Sequence, residues 1–141
     1  MSPFPSLAEY ERFIYTLPAL KPSIQRSTLT VVRRGAKTAL LNGDLDVADY
    51  RIVVREKLSF ADDDRRIISY GYEVWKGSAK LYWYDSQAHP DDPDLASTHP
   101  HHKHTPPDIK HNRIPAPELS FTAPNLPFLI REVEGLAQAG G

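Results

Sequence analysis

The chain of 141 residues contains no cysteine and no long apolar run. The lack of cysteine excludes disulfide frameworks and thiolate metal sites. No apolar stretch approaches the length of about 20 residues that a membrane span needs, so we expect no membrane partner. The net charge of −1 lacks the basic excess of proteins that coat nucleic acid, so any contact with nucleic acid must be local. Residues 1–5 carry no positive segment followed by an apolar one, so we expect no signal peptide and a cytoplasmic location.

Histidine, by contrast, is concentrated in one part of the chain. All six histidines lie between His89 and His111, and four of them fall in the run 99–104, which reads His-Pro-His-His-Lys-His. Histidine changes its charge near neutral pH, so such a cluster can move protons, bind a metal or hold a phosphate. This segment is therefore the first candidate for a functional site.

The remaining pattern predicts one α+β domain over residues 1–141. Ser6 and Glu9 have the spacing of a capping box, and the apolar residues that follow predict a helix over 6–17, which Pro18 ends. Residues 86–125 are rich in histidine and proline and form a functional loop, and a second helix is predicted over 126–138. Between them, residues 27–85 predict an antiparallel β-sheet of four to five strands, near 27–34, 36–41, 49–60, 65–76 and 79–85, with Asn42-Gly43 among the turns.

The last predicted hairpin defines two faces. A two-residue turn at Gly77-Ser78 sets Val74 opposite Leu81 and Tyr72 opposite Trp83, and puts these residues on the core side. The opposite face mixes aromatic and charged side chains, as a half-exposed binding face does; it holds Trp75, Lys80, Tyr82 and Tyr84.

Glu56 is a carboxylate in register with the apolar residues of strand 49–60. The plainer interpretation is an ion pair with Arg66 or Arg26. The alternative is a carboxylate that orients a catalytic histidine.

A family resemblance rests on the last strand and the histidine run. The strand that ends at Asp85 leads to His89-Pro90 and then to the His-Pro-His-His-Lys-His segment. This arrangement resembles the TumE-like proteins, which are small toxins of bacterial toxin–antitoxin systems, and the resemblance covers residues 27–137. An acidic insert at 91–94 and a long segment at 105–127 depart from that pattern. The resemblance implies a cognate antitoxin, expected to be a helix-turn-helix protein.

The histidine run also suggests a reaction. Cleavage of RNA needs a base for the 2′-hydroxyl proton, an acid for the 5′-oxygen and cations where charge grows on the phosphate. Histidine and lysine can supply these groups, so we expect a metal-independent ribonuclease that uses no cofactor. The candidate catalytic residues are His101, His102, Lys103 and His104, with His101 and His104 as the acid–base pair. The candidate substrate-binding residues are Arg55, Lys80, Tyr82, Tyr84, Asp85, Lys110 and His111.

Strand geometry constrains that choice. Successive side chains of an extended chain alternate, which puts His99, His101 and Lys103 on one side and His102 and His104 on the other. The alternation disfavours the pairing of His101 with His104 unless a turn interrupts it. Which two histidines act therefore stays open.

Two other interpretations stay open as well. One is a zinc site with His99, His101 and His104 as the ligands. The other is a non-enzymatic interaction protein whose loop 86–125 binds a partner or a metal ion. The expected partners are the antitoxin and RNA, with a homodimer as an alternative.

Overall fold

The computed structural model describes residues 4–87, 94–95, 99–109 and 112–140, and within them two helices pack on one face of an eight-stranded antiparallel sheet. The predicted α+β class is confirmed, but the sheet has more strands than the four to five expected. The elements are α1 (Leu7–Leu20), β1 (Ile24–Ser27), β2 (Thr30–Arg33), β3 (Thr38–Val47), β4 (Tyr50–Ala61), β5 (Asp64–Lys76), β6 (Ala79–Asp85), β7 (His102–His104), β8 (Arg113–Pro115) and α2 (Leu126–Gly140). Neither of these helices is both long enough and apolar enough to cross a membrane.

The sheet is a meander in which β3 to β8 are neighbours in chain order, and both β1 and β2 pair with β3. The expected strand 27–34 is therefore divided, and the expected turn at Asn42-Gly43 lies inside β3. The chain between β1 and β2 passes so close to Gly43 that a Cβ there would come within 2.6 Å of the Thr28 carbonyl oxygen. Gly43 has a φ of +139°, which favours glycine.

Helix α1 begins with the predicted capping box, in which Ser6 and Glu9 bond each other's backbone amides. The helix continues past Pro18 to Leu20, so the expected end at residue 17 is wrong. Pro18 lies in the last turn, where its missing N–H costs one helical hydrogen bond, and the amide of Lys21 closes the helix by donating to the Leu17 carbonyl at 2.8 Å.

A polar network crosses the core where α1 meets the sheet. The buried carboxylate of Glu56 accepts hydrogen bonds from the hydroxyls of Tyr10 and Tyr72, and the Asn125 side chain donates to the Tyr72 oxygen at 3.1 Å. Burial raises the pKa of Glu56, and the two tyrosine hydrogen bonds oppose the rise. Neither sequence interpretation of Glu56 is correct, since its bonded partners are tyrosines rather than an arginine or a histidine.

The hairpin of β5 and β6 differs from its predicted register by one residue. The turn at Gly77-Ser78 is present, but an irregularity after Val74 sets Val74 opposite Tyr82 and Tyr72 opposite Tyr84. Tyr82 and Tyr84 therefore point into the core. Their hydroxyls donate to the two carboxylate oxygens of Glu132 on α2, at 2.7 and 2.8 Å, and these bonds stabilise the observed register.

The segment 86–125, expected as a loop, contains two short strands. Strand β7 is the His-Lys-His part of the histidine run and pairs with both β6 and β8. The proline-rich composition does not predict these strands, because they form by pairing with the edge of the sheet and not through the β-propensity of their own residues.

Candidate functional site

One row of directly opposed residues crosses the sheet on the face away from the helices, which we call the open face. Arg55 on β4 faces Gly71 on β5, Gly71 faces Asp85 on β6, and Asp85 faces His102 on β7. Because side chains alternate along a strand, His104 points to the same side as His102. Strand pairing therefore gathers groups that lie far apart in the sequence.

The site is the Asp–His cluster, formed by Asp85, His102 and His104. Nε2 of His102 lies 2.8 Å from Oδ1 of Asp85, and Nε2 of His104 lies 3.3 Å from Oδ2. The two Nε2 atoms are 3.1 Å apart. Both imidazoles are buried, at 1% and 5% side-chain exposure, whereas the Asp85 side chain is 24% exposed and opens the cluster to solvent.

The backbone fixes which nitrogen of each ring carries the proton. Nδ1 of His102 lies 3.0 Å from the Pro100 carbonyl oxygen, and Nδ1 of His104 lies 2.8 Å from the Ile109 carbonyl oxygen. A carbonyl only accepts, so each Nδ1 must be the donor. In the neutral rings, both Nε2 lone pairs therefore point at the Asp85 carboxylate.

The same contacts shift the pKa values of the cluster. Burial disfavours the charged form of His102, but hydrogen bonds to Asp85 and the Pro100 carbonyl outweigh it and raise the His102 pKa. Burial lowers the pKa of His104 despite the nearby carboxylate. Burial would raise the pKa of Asp85, yet the bond from His102 leaves that pKa below its usual value.

A cleft of about 420 Å³ lies on the open face beside Asp85. Its polar lining includes Arg55 and Lys57 from β4 and Gln87 after β6. The Arg55 guanidinium lies over Gly71, since a Cβ at that glycine would be 3.4 Å from Nη2. Gly71 thus leaves room for a cation next to the Asp–His cluster.

His101 and Lys103 point to the opposite side of the sheet, as the alternation predicts. The His101 ring lies parallel to that of Tyr70, and its Nδ1 is 2.6 Å from the Tyr70 hydroxyl. Nζ of Lys103 lies 4.1 Å from the centre of the Tyr82 ring and 3.4 Å from Oε2 of Glu132. The structure therefore does not bring either residue to the Asp–His cluster, and the expected His101–His104 pair is not formed.

Two of the three aromatic residues expected on the open face do not lie there, whereas Trp75 does. Tyr82 and Tyr84 are buried in the core, and their place is taken by Trp83, whose ring centre lies 4.6 Å from that of His104. Lys80 is on this face as expected, with its Nζ 3.7 Å from the centre of the Trp83 ring. Trp75 also lies here, beneath the Arg51 guanidinium.

The remaining predicted residues fall into two groups. His99 is exposed and, among the described residues, belongs to no group that could hold a metal; the group found is Asp85, His102 and His104, whose ligand atoms lie within 4.8 Å of one another. The expected zinc set of His99, His101 and His104 is therefore not assembled. Lys110 and His111 lie outside the described residues.

Two features of the site were missing from the sequence-based list of site residues. Lys57 shares the outward side of β4 with Arg55, so the alternation of that strand was a usable signal. Trp83 was predicted to lie in the core because the predicted register of the β5–β6 hairpin differs by one residue from the observed register. No local signal in the sequence reports that shift.

Comparison with known proteins identifies one family. The profile of the family described as Toxin TumE matches residues 12–137, which include α1 from residue 12 onward and every strand of the sheet. No curated protein and no solved structure matches the chain.

Proposed function

The chain belongs to the TumE toxin family and is the toxin component of a toxin–antitoxin system, and we propose that it acts by cutting RNA at the Asp–His cluster. The single observation that supports this most is the position of the cluster. Asp85 belongs both to the cluster and to the wall of the cleft that Arg55 and Lys57 line. A phosphate bound by these cations would lie beside buried imidazoles.

The proposed reaction uses the 2′-hydroxyl of RNA as the nucleophile on the neighbouring phosphate. The 2′-hydroxyl passes its proton to solvent water, the 2′-oxygen bonds to phosphorus, the bond to the 5′-oxygen breaks, and that oxygen takes up a proton from water. The products are a 2′,3′-cyclic phosphate and a 5′-hydroxyl. Arg55 and Lys57 would neutralise the negative charge that grows on the phosphate in this step.

The open face would hold the nucleotides on either side. Trp75 and Trp83 offer ring surfaces, and Arg51 and Lys80 place positive charge next to them. Stacking on aromatic rings combined with backbone-binding cations is how proteins hold single-stranded nucleic acid. We therefore expect single-stranded RNA as the substrate.

Expression without the antitoxin tests this proposal in cells. We expect the wild-type chain to arrest growth and to degrade cellular RNA, and His104→Ala to abolish both effects at an equal level of soluble protein. The matched control is His99→Ala, which removes an exposed histidine of the same run and should leave the toxin fully active.

Two other results would separate the alternatives. Growth arrest with intact RNA would reject the ribonuclease while keeping the toxin. Arrest that survives His104→Ala with RNA left intact would favour a non-enzymatic protein whose loop 86–125 binds a partner.

We also propose that the cognate antitoxin is a helix-turn-helix protein, on the family resemblance. A short adjacent reading frame that encodes such a protein and suppresses the growth arrest when co-expressed would support it. An adjacent gene without that effect would reject it.

A further inference from the structure

We propose that Asp85, His102 and His104 bind one divalent transition-metal ion, with zinc as the best fit. The role of the ion in RNA cleavage rests on the proposed function, whereas the binding site does not. The site itself rests on the positions of five described residues, the three ligands and the two residues whose carbonyls hold the rings.

The first support is the spacing of the ligand atoms. Zinc binds imidazole nitrogen and carboxylate oxygen at about 2.0–2.2 Å, so neighbouring ligands on a tetrahedron are about 3.3 Å apart. The two histidine nitrogens are 3.1 Å apart, and each lies close to a different oxygen of Asp85, His102 at 2.8 Å from Oδ1 and His104 at 3.3 Å from Oδ2. One ligand atom from each of the three residues lies within 4.8 Å of the other two. Small outward movements of the ligand atoms would admit the ion.

The second support is the lone pair that each neutral ring turns toward the same carboxylate. Each histidine uses its Nδ1 proton on a backbone carbonyl, so each Nε2 presents a lone pair to a carboxylate that only accepts. A proton on Nε2 of His102 has two acceptors within reach, Oδ1 of Asp85 at 2.8 Å and Nε2 of His104 at 3.1 Å. A cation satisfies all three groups together.

The third support is the way in which the rings are held. Histidines that ligate metals almost always donate their other ring N–H to a carbonyl or a carboxylate, which fixes the ring and its tautomer. Both His102 and His104 do this, through Pro100 and Ile109. The ligands are therefore oriented before the ion arrives.

The ligand types select the class of metal. Two imidazoles and one carboxylate suit zinc and its neighbours among the divalent transition metals, whereas magnesium prefers a full set of oxygen ligands. Three protein ligands also leave a tetrahedral position for a phosphate oxygen or water. Asp85 is the ligand that borders the cleft, so a phosphate oxygen from the substrate can approach from that side.

The inference replaces the metal-independent acid–base pair expected from the sequence. Attack and departure take place on opposite sides of phosphorus, so the acid and the base must lie on either side of it. The Nε2 atoms of His102 and His104 instead converge on one carboxylate and are 3.1 Å apart. A cation held there would stabilise the charge on the phosphate oxygens.

Calorimetric titration with Zn²⁺ tests the site directly. The full chain is prepared without a polyhistidine tag, stripped with a chelator, and titrated alongside His102→Ala, His104→Ala and His99→Ala. We expect one equivalent of zinc to bind the wild type and His99→Ala with equal affinity, and the affinity to fall by about 100-fold or more in the other two variants. Wild-type protein without such a site, or equal loss in His99→Ala, would overturn the inference.

A measurement on the wild type alone covers the case in which a variant fails to fold. Cobalt(II) bound at this site should give the intense visible absorption of a four-coordinate ion, and one equivalent of zinc should remove it. A weak six-coordinate spectrum, or a spectrum that zinc leaves unchanged, would contradict the proposed site.

Different results would reject the ribonuclease proposal and the metal-site proposal. Rapid RNA cleavage by the chelator-stripped chain, with no response to added zinc, would remove the metal and keep the ribonuclease. Zinc bound at the cluster with RNA left intact would keep the metal site and remove the ribonuclease.

Discussion

Nε2 of His102 lies 3.1 Å from Nε2 of His104, while the lysine between them in the sequence reaches the other side of the sheet. This relationship arises because residues 102–104 of the histidine run form strand β7. Alternation brings the two imidazoles to the open face, and pairing with β6 places Asp85 against both. The chemistry of the site is thus set by the strand register.

Arg55 lies over Gly71 in the cleft that Asp85 also lines, with its Nη2 3.8 Å from Oε2 of Glu73, so its replacement should affect substrate binding. We expect Arg55→Gln to weaken the binding of single-stranded RNA by about tenfold or more, through loss of a charge-assisted bond to phosphate. The slope of affinity against salt concentration should also fall by about 1. Arg12→Gln, on the exposed side of α1, is the control. Equal binding by both variants would rule out the cleft as the phosphate site.

Trp75 should hold a base of the bound RNA. Replacement by alanine is expected to weaken binding by about 1–3 kcal/mol, the range for loss of one base–aromatic stack, measured by fluorescence anisotropy with a short single strand. Tyr15→Ala removes an aromatic ring that is 54% exposed on α1 and should have no effect. If Trp75→Ala bound as tightly as the wild type, the nucleotides would have to lie elsewhere.

Lys103 lies on the helix side, between Tyr82 and Glu132, so we expect its role to be structural. Lys103→Met should lower the free energy of unfolding by about 1 kcal/mol, because a half-buried ion pair and a cation–π contact are lost. Lys37→Met, at an exposed lysine, should change stability by less than about 0.5 kcal/mol. Unfolding in urea provides the comparison. If Lys103→Met lost toxicity with unchanged stability, the result would support the catalytic role expected from the sequence.

Glu56 should give the chain a distinctive pH dependence. Its pKa is raised in the folded state by burial, so between its unfolded pKa, about 4.3, and its folded pKa the native chain holds a proton that the unfolded chain releases. Stability of the wild type relative to Glu56→Gln should therefore fall as pH rises through this window and level off above it. Urea titrations of both proteins over a pH series give the comparison; parallel curves would contradict the raised pKa.

The sequence alone was sufficient for features that depend on neighbours along the chain. The capping box at Ser6, the turn at Gly77-Ser78 and the separation of Lys103 from the two adjacent histidines all follow from local spacing. These features are set by interactions within a few residues, which a sequence pattern records directly.

The features that sequence reasoning missed depend on distant contacts. The register of β5 and β6 is tied to Glu132, which lies about 50 positions further along the chain from Tyr82 and bonds its hydroxyl. Because a shift of one residue exchanges the two faces of a strand, the observed register puts Tyr82 and Tyr84 in the core and Trp83 on the open face. Strand β7 is likewise formed by the edge that β6 offers.

The most direct test is cleavage of a labelled single-stranded RNA by the purified chain, with and without zinc, compared with His104→Ala. We expect the wild type with zinc to produce fragments ending in a 2′,3′-cyclic phosphate, and His104→Ala to be slower by about 100-fold or more. RNA left intact by the wild type with and without zinc, or cut at the same rate by His104→Ala, would contradict the Asp–His cluster as the reaction centre.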